Sequence, residues 1–394
     1  MLRPGTFALT MLLAMLSALG PLSMDMYLPS LPDIAHVLEA PIARVQLTVS
    51  SYLIGFAVGQ VIYGPLSDRH GRRPVLLAAL ALYLTSTLVC AGAQSAGPLI
   101  AGRLLQGIGG SGSIVLARAI VRDCYSGVQA ARELSLMGSI SAFAPIVAPM
   151  IGGVLQTAFG WRASFIFMSA AALVVIAVAG RLLPETLRQR GDSPSLIALF
   201  RGYRLVLRHH EFPIYLGILT ISYAGLFAWI SGASVVLQGV YGLSATAFGF
   251  TFALGAAGWM VGATIAARLV VRLGLDRTMG LGVLVLAAGS VALVAVVAAG
   301  IPGVWLVAAM ALYLAGLGLA MPQAMAGALT PFPERAGTAA SLMGLVQQTV
   351  AAIVAAAVGN YLGRSAWPVT GVVVAMGALT LVLWLVTRPV RARQ

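Results

Sequence analysis

The chain has 394 residues, of which 60% are apolar and only 9% charged, too few charges to cover a water-soluble fold of this size. Its formal net charge is +13, but the basic residues come in short bursts between apolar windows and not in the stripe that nucleic acid requires. All 24 basic residues are Arg and none is Lys, which excludes a P-loop, and so ATP-driven pumping by this chain alone, together with a pyridoxal Schiff base.

Windows of about 20 apolar residues, bounded by Arg, Asp, Pro or Gly, mark helices that can cross a bilayer. They predict spans at 6–27, 45–66, 74–94, 98–120, 134–158 and 162–183, then at 212–235, 246–270, 278–299, 303–325, 337–359 and 367–387. Residues 5–24 are read as a retained first helix and not as a signal peptide, because the apolar run continues into Asp25 and Tyr27 without a small-residue cleavage site. With a cytoplasmic N-terminus, 20 of the 24 Arg fall on the inside and only Arg44, Arg162 and Arg364 outside, so both termini are expected in the cytoplasm of a bacterial inner membrane. Trp161, Trp305, Trp367 and Trp384 fall at span ends, as interfacial anchors.

The expected fold class is therefore an all-α integral membrane protein of twelve transmembrane helices in two pseudo-symmetric six-helix bundles. The longest polar stretch divides the spans six and six. This gives a first bundle at 1–183, a cytoplasmic linker at 184–211 with a short surface helix near 194–208, and a second bundle at 212–394. A shift of 203 residues superposes Gly59 on Gly262, Arg69 on Arg272 and Gly71 on Gly274, the internal symmetry of many secondary transporters.

No catalytic, metal or cofactor site is expected. Cys90 and Cys124 suggest no disulfide framework, and the histidines at 36, 70, 209 and 210 lack metal-site spacing. Gly107-Ile108-Gly109-Gly110-Ser111-Gly112 fits the dinucleotide fingerprint, but it lies inside a span and not after a strand, so close helix packing is the better reading.

Gly64-Pro65-Leu66-Ser67-Asp68-Arg69-His70-Gly71-Arg72-Arg73-Pro74 joins the second and third spans, where Gly and Pro suggest a tight turn and one acid among three Arg suggests an ion-pair cluster. This loop resembles the signature of the major facilitator superfamily. The resemblance implies a gating latch built on Gly64, Asp68, Arg69, Gly71, Arg72 and Arg73, with Arg118 or Arg122 as the ion-pair partner of Asp68. Met24-Asp25-Met26-Tyr27-Leu28-Pro29, Arg103-Leu104-Leu105-Gln106-Gly107 and Ser365-Ala366-Trp367-Pro368 resemble the bicyclomycin and chloramphenicol resistance branch of drug:proton antiporters. Residues 144–153 are similar to that superfamily's antiporter motif through Pro145, Pro149, Gly152 and Gly153, although Ala144 and Ala148 stand where Gly is usual.

Ten of the eleven acids are assigned to loops or cytoplasmic ends, which leaves Asp25 as the candidate intramembrane carboxylate, about 15 Å above the centre of its span. Arg103 is about 10 Å above the centre of the fourth span on the same side, at a depth that permits pairing. Loss of water disfavours a carboxylate's charge and a nearby guanidinium favours it, so movement of Arg103 would switch the proton affinity of Asp25. Tyr27, Gln106, Tyr223, Trp229 and Gln323 are the expected walls of a drug cavity. The expected function is monomeric, proton-coupled export of small amphipathic drugs, with a proton-coupled carrier of a small metabolite as the alternative. The expected partners are drug, protons and lipid.

Overall fold

The structure, a computed structural model, describes residues 5–187, 196–361 and 365–391. Twelve helical spans among the described residues are long and apolar enough to cross a membrane. Their apolar outer surfaces, with Ile166, Leu173, Leu254, Val291 and Val382 all more than half exposed, suit lipid as the surrounding solvent. Backbone contacts divide the chain into two compact units, Met1–Ser195 and Leu196–Gln394, with six spans each.

The first unit is organised around its fourth span, Ala96–Cys124, which packs against the second (Ile42–His70), the third (Arg72–Ala91) and the first. In the second unit the tenth span, Gly303–Leu329, packs in the same way against the eighth (Ala245–Leu273), the ninth (Leu275–Ala298) and the seventh (Phe212–Val240). The glycines of the fingerprint-like run account for the closeness in the first unit. A Cβ on Gly107 would strike the Tyr52 carbonyl of the second span, and one on Gly109 would sit 2.6 Å from the Tyr83 nitrogen of the third. The 203-residue repeat has a matching physical basis. Gly59 faces the Ile108 carbonyl of the fourth span and Gly262 the Ala315 carbonyl of the tenth, while Gly71 (φ 103°) and Gly274 (φ 77°) each turn the chain into the next helix.

Several elements differ from their sequence-based expectation. The first span does not end at residue 27. Its helix Phe7–Asp25 is followed by a 3-10 turn, Leu28–Ser30, and a helix Leu31–Val37, with Pro29 and Pro32 seated in first turns where a missing N–H costs nothing. Asp25 is thus three residues from the middle of the span Phe7–Val37, about 4.5 Å at 1.5 Å per residue, and not near its C-terminal end. The fifth span begins at Gly127 and breaks between Ser141 and Ala144, where Pro145 starts a new helix that runs to Phe159. The expected turn at Gly64-Pro65 is absent. Proline forfeits a single helical bond there, the helix runs on to His70, and Gly71 makes the turn. Trp161 is buried, edge-on to Phe165 and under the Arg162 guanidinium, whereas Trp305 and Trp367 are exposed.

The helix Leu196–Leu207 groups with the second unit: Tyr203 and Val206 join a core with Phe212, Tyr215, Phe332 and Leu342, and Tyr203 Oη shares a 2.8 Å hydrogen bond with Ser341. Arg188, Arg190, Asp192, Arg364 and Arg393 lie outside the described residues.

Candidate functional site

The helix of the first span stops at Asp25, so the carbonyls of its last turn can accept from elsewhere. Arg103, fully buried on the fourth span, takes one of them, with Nη1 donating to the Ser23 carbonyl (2.9 Å) and to Gln106 Oε1 (2.6 Å). A cation at a helix C-terminus also meets the negative end of the helix dipole. The guanidinium is sandwiched between the rings of Tyr27 and Tyr52, 4.2 Å from each centroid, and Nη2 lies 3.9 Å from Met24 Sδ. Each desolvated cation–π contact contributes about 2 kcal/mol, which helps to offset the loss of water from a buried charge.

A second layer holds this cage. Gln106 Nε2 donates to Thr87 Oγ1 (2.8 Å), Tyr52 Oη donates to the Gly20 carbonyl (3.0 Å), and the Tyr27 and Thr48 hydroxyls are 3.2 Å apart. Ser23 Oγ, 2.5 Å from Tyr83 Oη, donates to the Leu19 carbonyl, so the phenol donates to the serine. Tyr27 and Gln106, expected as cavity walls, are thus fully buried and committed to Arg103.

Asp25 is 5% exposed, and among the described residues its carboxylate has no hydrogen-bond or ion-pair partner. The expected pair with Arg103 is not formed: Nη1 is turned to the Ser23 carbonyl and Gln106, Nη2 to Met24, and the buried Nε has no hydrogen-bond partner among the described residues. Asp33 and Glu133, expected in loops, lie within the first and fifth spans, and both are partnered: Asp33 accepts from Gln156 Nε2 (2.9 Å) and Glu133 from Thr10 Oγ1 (2.6 Å). Buried charge without a fixed partner is the condition under which a carboxylate exchanges protons readily.

The antiporter-like segment reaches the same place. A Cβ on Gly152 would collide with the Met26 carbonyl, one residue beyond Asp25, so the fifth span touches the first at the acid. Pro149 and Gly153 are buried on the same helix, and Pro145 opens it. In the second unit, Trp229 and Gln323 are buried, and Tyr223 is half-buried with its ring 4.8 Å from that of Phe227. A cavity of about 540 Å³ lined by Thr10, Tyr125, Arg132 and Glu133 contains none of the five residues expected to bind substrate.

At the start of the third span the ion-pair cluster forms with different partners from those expected. Asp68 pairs with Arg72 (2.5 Å), across the Gly71 turn at the start of the next helix, and not with Arg118 or Arg122, which are exposed. Arg72 Nε also pairs with Asp123 (2.8 Å), and its Nη1 donates to Ser67 Oγ (2.7 Å). Arg69 is exposed, and the Arg73 guanidinium donates to the Gly180 carbonyl. Glu185, just after the sixth span, accepts from the backbone nitrogens of Arg72 (2.9 Å) and Arg73 (3.2 Å) and so caps the third span's helix from a distance of more than a hundred residues. Gly71 is required twice over: by its φ of 103°, and because a Cβ there would sit 2.5 Å from Glu185 Oε2. In the second unit, Arg391 pairs with Asp276 (2.6 Å) in the first turn of the ninth span and donates to the Trp384 carbonyl (2.8 Å).

The model of the Major Facilitator Superfamily matches residues 13–356. The chain belongs to that superfamily. It is a multi-pass membrane transporter and not an enzyme. Among its relatives, the bicyclomycin resistance protein homolog of Haemophilus influenzae is 31% identical over 91% of this chain and 90% of that protein. Multidrug resistance protein D of Escherichia coli is 32% identical over 98% and 97%. The chloramphenicol resistance protein of Pseudomonas aeruginosa is 30% identical over 97% and 91%. The branch recognised from the sequence motifs is thus the one these relatives carry. The solved structure of the xylose transporter XylE from E. coli, in a partially occluded inward-open conformation, superposes with a TM-score of 0.76 over 97% of both chains at 17% identity, which establishes the fold.

Proposed function

We propose that the protein exports small amphipathic drugs from a bacterial cytoplasm in exchange for protons, as a monomer with both termini on the cytoplasmic side. The observation that carries the reading is Asp25, a buried carboxylate without a fixed partner beside a guanidinium held on two tyrosine rings. Relatives named for bicyclomycin, chloramphenicol and multidrug resistance support drugs as the cargo.

In this reading Asp25 takes a proton when the site faces outward and releases it when the site faces inward. A shift of the first span against the fourth brings the carboxylate nearer to Arg103 or moves it away, and that distance sets its proton affinity. Pro145, Pro149, Gly152 and Gly153 transmit the motion, because Gly152 bears on the backbone next to the acid. Gly64, Gly71, Asp68, Arg69, Arg72 and Arg73 form the cytoplasmic latch, with Arg118 and Arg122 as cations free to engage it in another state. Tyr223, Trp229 and Gln323 contact the drug, whereas Tyr27 and Gln106 act through Arg103.

Everted membrane vesicles acidified inside by respiration test the direction. Adding chloramphenicol or a cationic dye should release lumenal protons, seen as recovery of a quenched pH probe. No recovery with any compound of a broad drug panel, in vesicles that contain the protein, would overturn the reading.

A further inference from the structure

The helix Leu196–Leu207 has one face committed and one face free. Tyr203 and Val206 are buried in the core of the second unit, and Tyr203 is hydrogen-bonded to Ser341. Burial raises the Tyr203 phenol above its ordinary pKa, partly offset by that bond, so the packed face stays neutral. Around the helix from this face, the next row is apolar: Phe200 (59% exposed) and Leu207 (44% exposed) stand seven residues apart, on one side of the helix. The row beyond, opposite the packed face, is cationic and is flanked on its far side by Leu205 (49% exposed). Arg201, Arg204 and Arg208 follow at spacings of three and four, all exposed and without an ion pair among the described residues, and no acid occurs between 196 and 210.

Protein, then apolar, then cationic is the order of surfaces met by a helix lying in the boundary of a bilayer, with apolar side chains toward acyl tails and guanidinium groups at the headgroups. We propose that this helix is a docking surface for the anionic phospholipids of the cytoplasmic leaflet, with Arg201, Arg204 and Arg208 on headgroup phosphates and Phe200 and Leu207 at the acyl boundary. The inference rests on the cytoplasmic placement of the segment, which follows from the same arginine bias that orients the chain. Arginine suits the role, because its planar fork donates two parallel hydrogen bonds to a phosphate. Docked in this way, the helix ties the first turn of the seventh span, where Phe212 joins the same core, to the membrane surface.

The test uses the full-length protein in lipid nanodiscs, with Cys90 and Cys124 replaced by alanine and a bimane label on Phe200→Cys. Quenching by brominated phosphatidylglycerol is compared with quenching by brominated phosphatidylcholine. An arginine near an anionic surface contributes about fivefold in affinity, so the preference for phosphatidylglycerol should be at least about tenfold at low salt. It should fall toward unity in the R201Q/R204Q/R208Q variant and, with the arginines intact, at about 0.5 M salt. The salt arm needs no further substitution, so it decides the question even where the triple variant fails to fold. Equal quenching by the two lipids at low salt, or a label that neither lipid quenches, would overturn the proposal. The measurement needs neither drug nor gradient, so its failure is distinguishable from failure of the export reading.

Discussion

Gly71 and Glu185 provide a double-mutant cycle whose outcome follows from geometry. At φ 103°, ψ 154°, Gly71 occupies a region open essentially to glycine alone, and forcing an L-residue there costs about 1–3 kcal/mol. In Gly71→Ala the new Cβ also displaces the Glu185 carboxylate, which accepts from the Arg72 and Arg73 nitrogens. Loss of such a cap costs about 0.5–2 kcal/mol, so the variant should lose roughly 1.5–5 kcal/mol in all. Glu185→Ala alone should lose about 0.5–2 kcal/mol. The double variant should be less destabilised than the sum by about the value of the cap, because the cap cannot be lost twice. Gly274→Ala is the control: its φ of 77° is equally strained, but nothing lies within 4 Å of its Cβ, so strain alone applies at about 1–3 kcal/mol. Equilibrium unfolding in mixed SDS and dodecylmaltoside micelles measures all four variants. Strict additivity of the two changes, with Gly71→Ala no worse than Gly274→Ala, would refute the capping role of Glu185.

Arg391→Met leaves Asp276, about one-third exposed, without its partner, and should cost about 2 kcal/mol in the same titration, against little for the neighbouring Arg388→Met. Tyr52→Phe keeps the ring over Arg103 and loses the hydroxyl with its bond to the Gly20 carbonyl, about 1 kcal/mol with efflux retained, whereas Tyr52→Leu also removes a cation–π contact and should reduce drug-gradient formation in vesicles more severely. Gly152→Leu should abolish gradient formation while the protein still inserts and purifies, because its side chain would drive the fifth span off the Met26 carbonyl beside Asp25.

Hydropathy made the twelve spans legible because lipid imposes one strong rule on composition, and the repeat was legible because Gly71 and Gly274 serve the same backbone turn in both units. The C-terminal part of the first span was hidden by Pro29, Pro32 and Asp33, which read as a loop although both prolines occupy first turns and Asp33 is bonded to Gln156. The turn at Gly71 decided the partner of Asp68: it brings the first residue of the next helix, Arg72, back against the acid, and the other side of Arg72 holds Asp123. Asp123 and Glu185 were missed because each stands near a span end, where an acid is ordinarily solvated. Only tertiary structure brings them to the start of the third span. Tyr52 carried no signal at all, since an aromatic residue on an apolar helix is ordinary packing until Arg103 is placed against it.

Asp25→Asn, purified and reconstituted in proteoliposomes, tests the central claim most directly when drug-for-drug counterflow and drug movement driven by an imposed proton gradient are measured side by side. Asparagine keeps the shape of the side chain and removes its proton exchange, so counterflow should persist while gradient-driven movement falls to the level of empty liposomes. Gradient-driven transport at the wild-type rate would contradict the account.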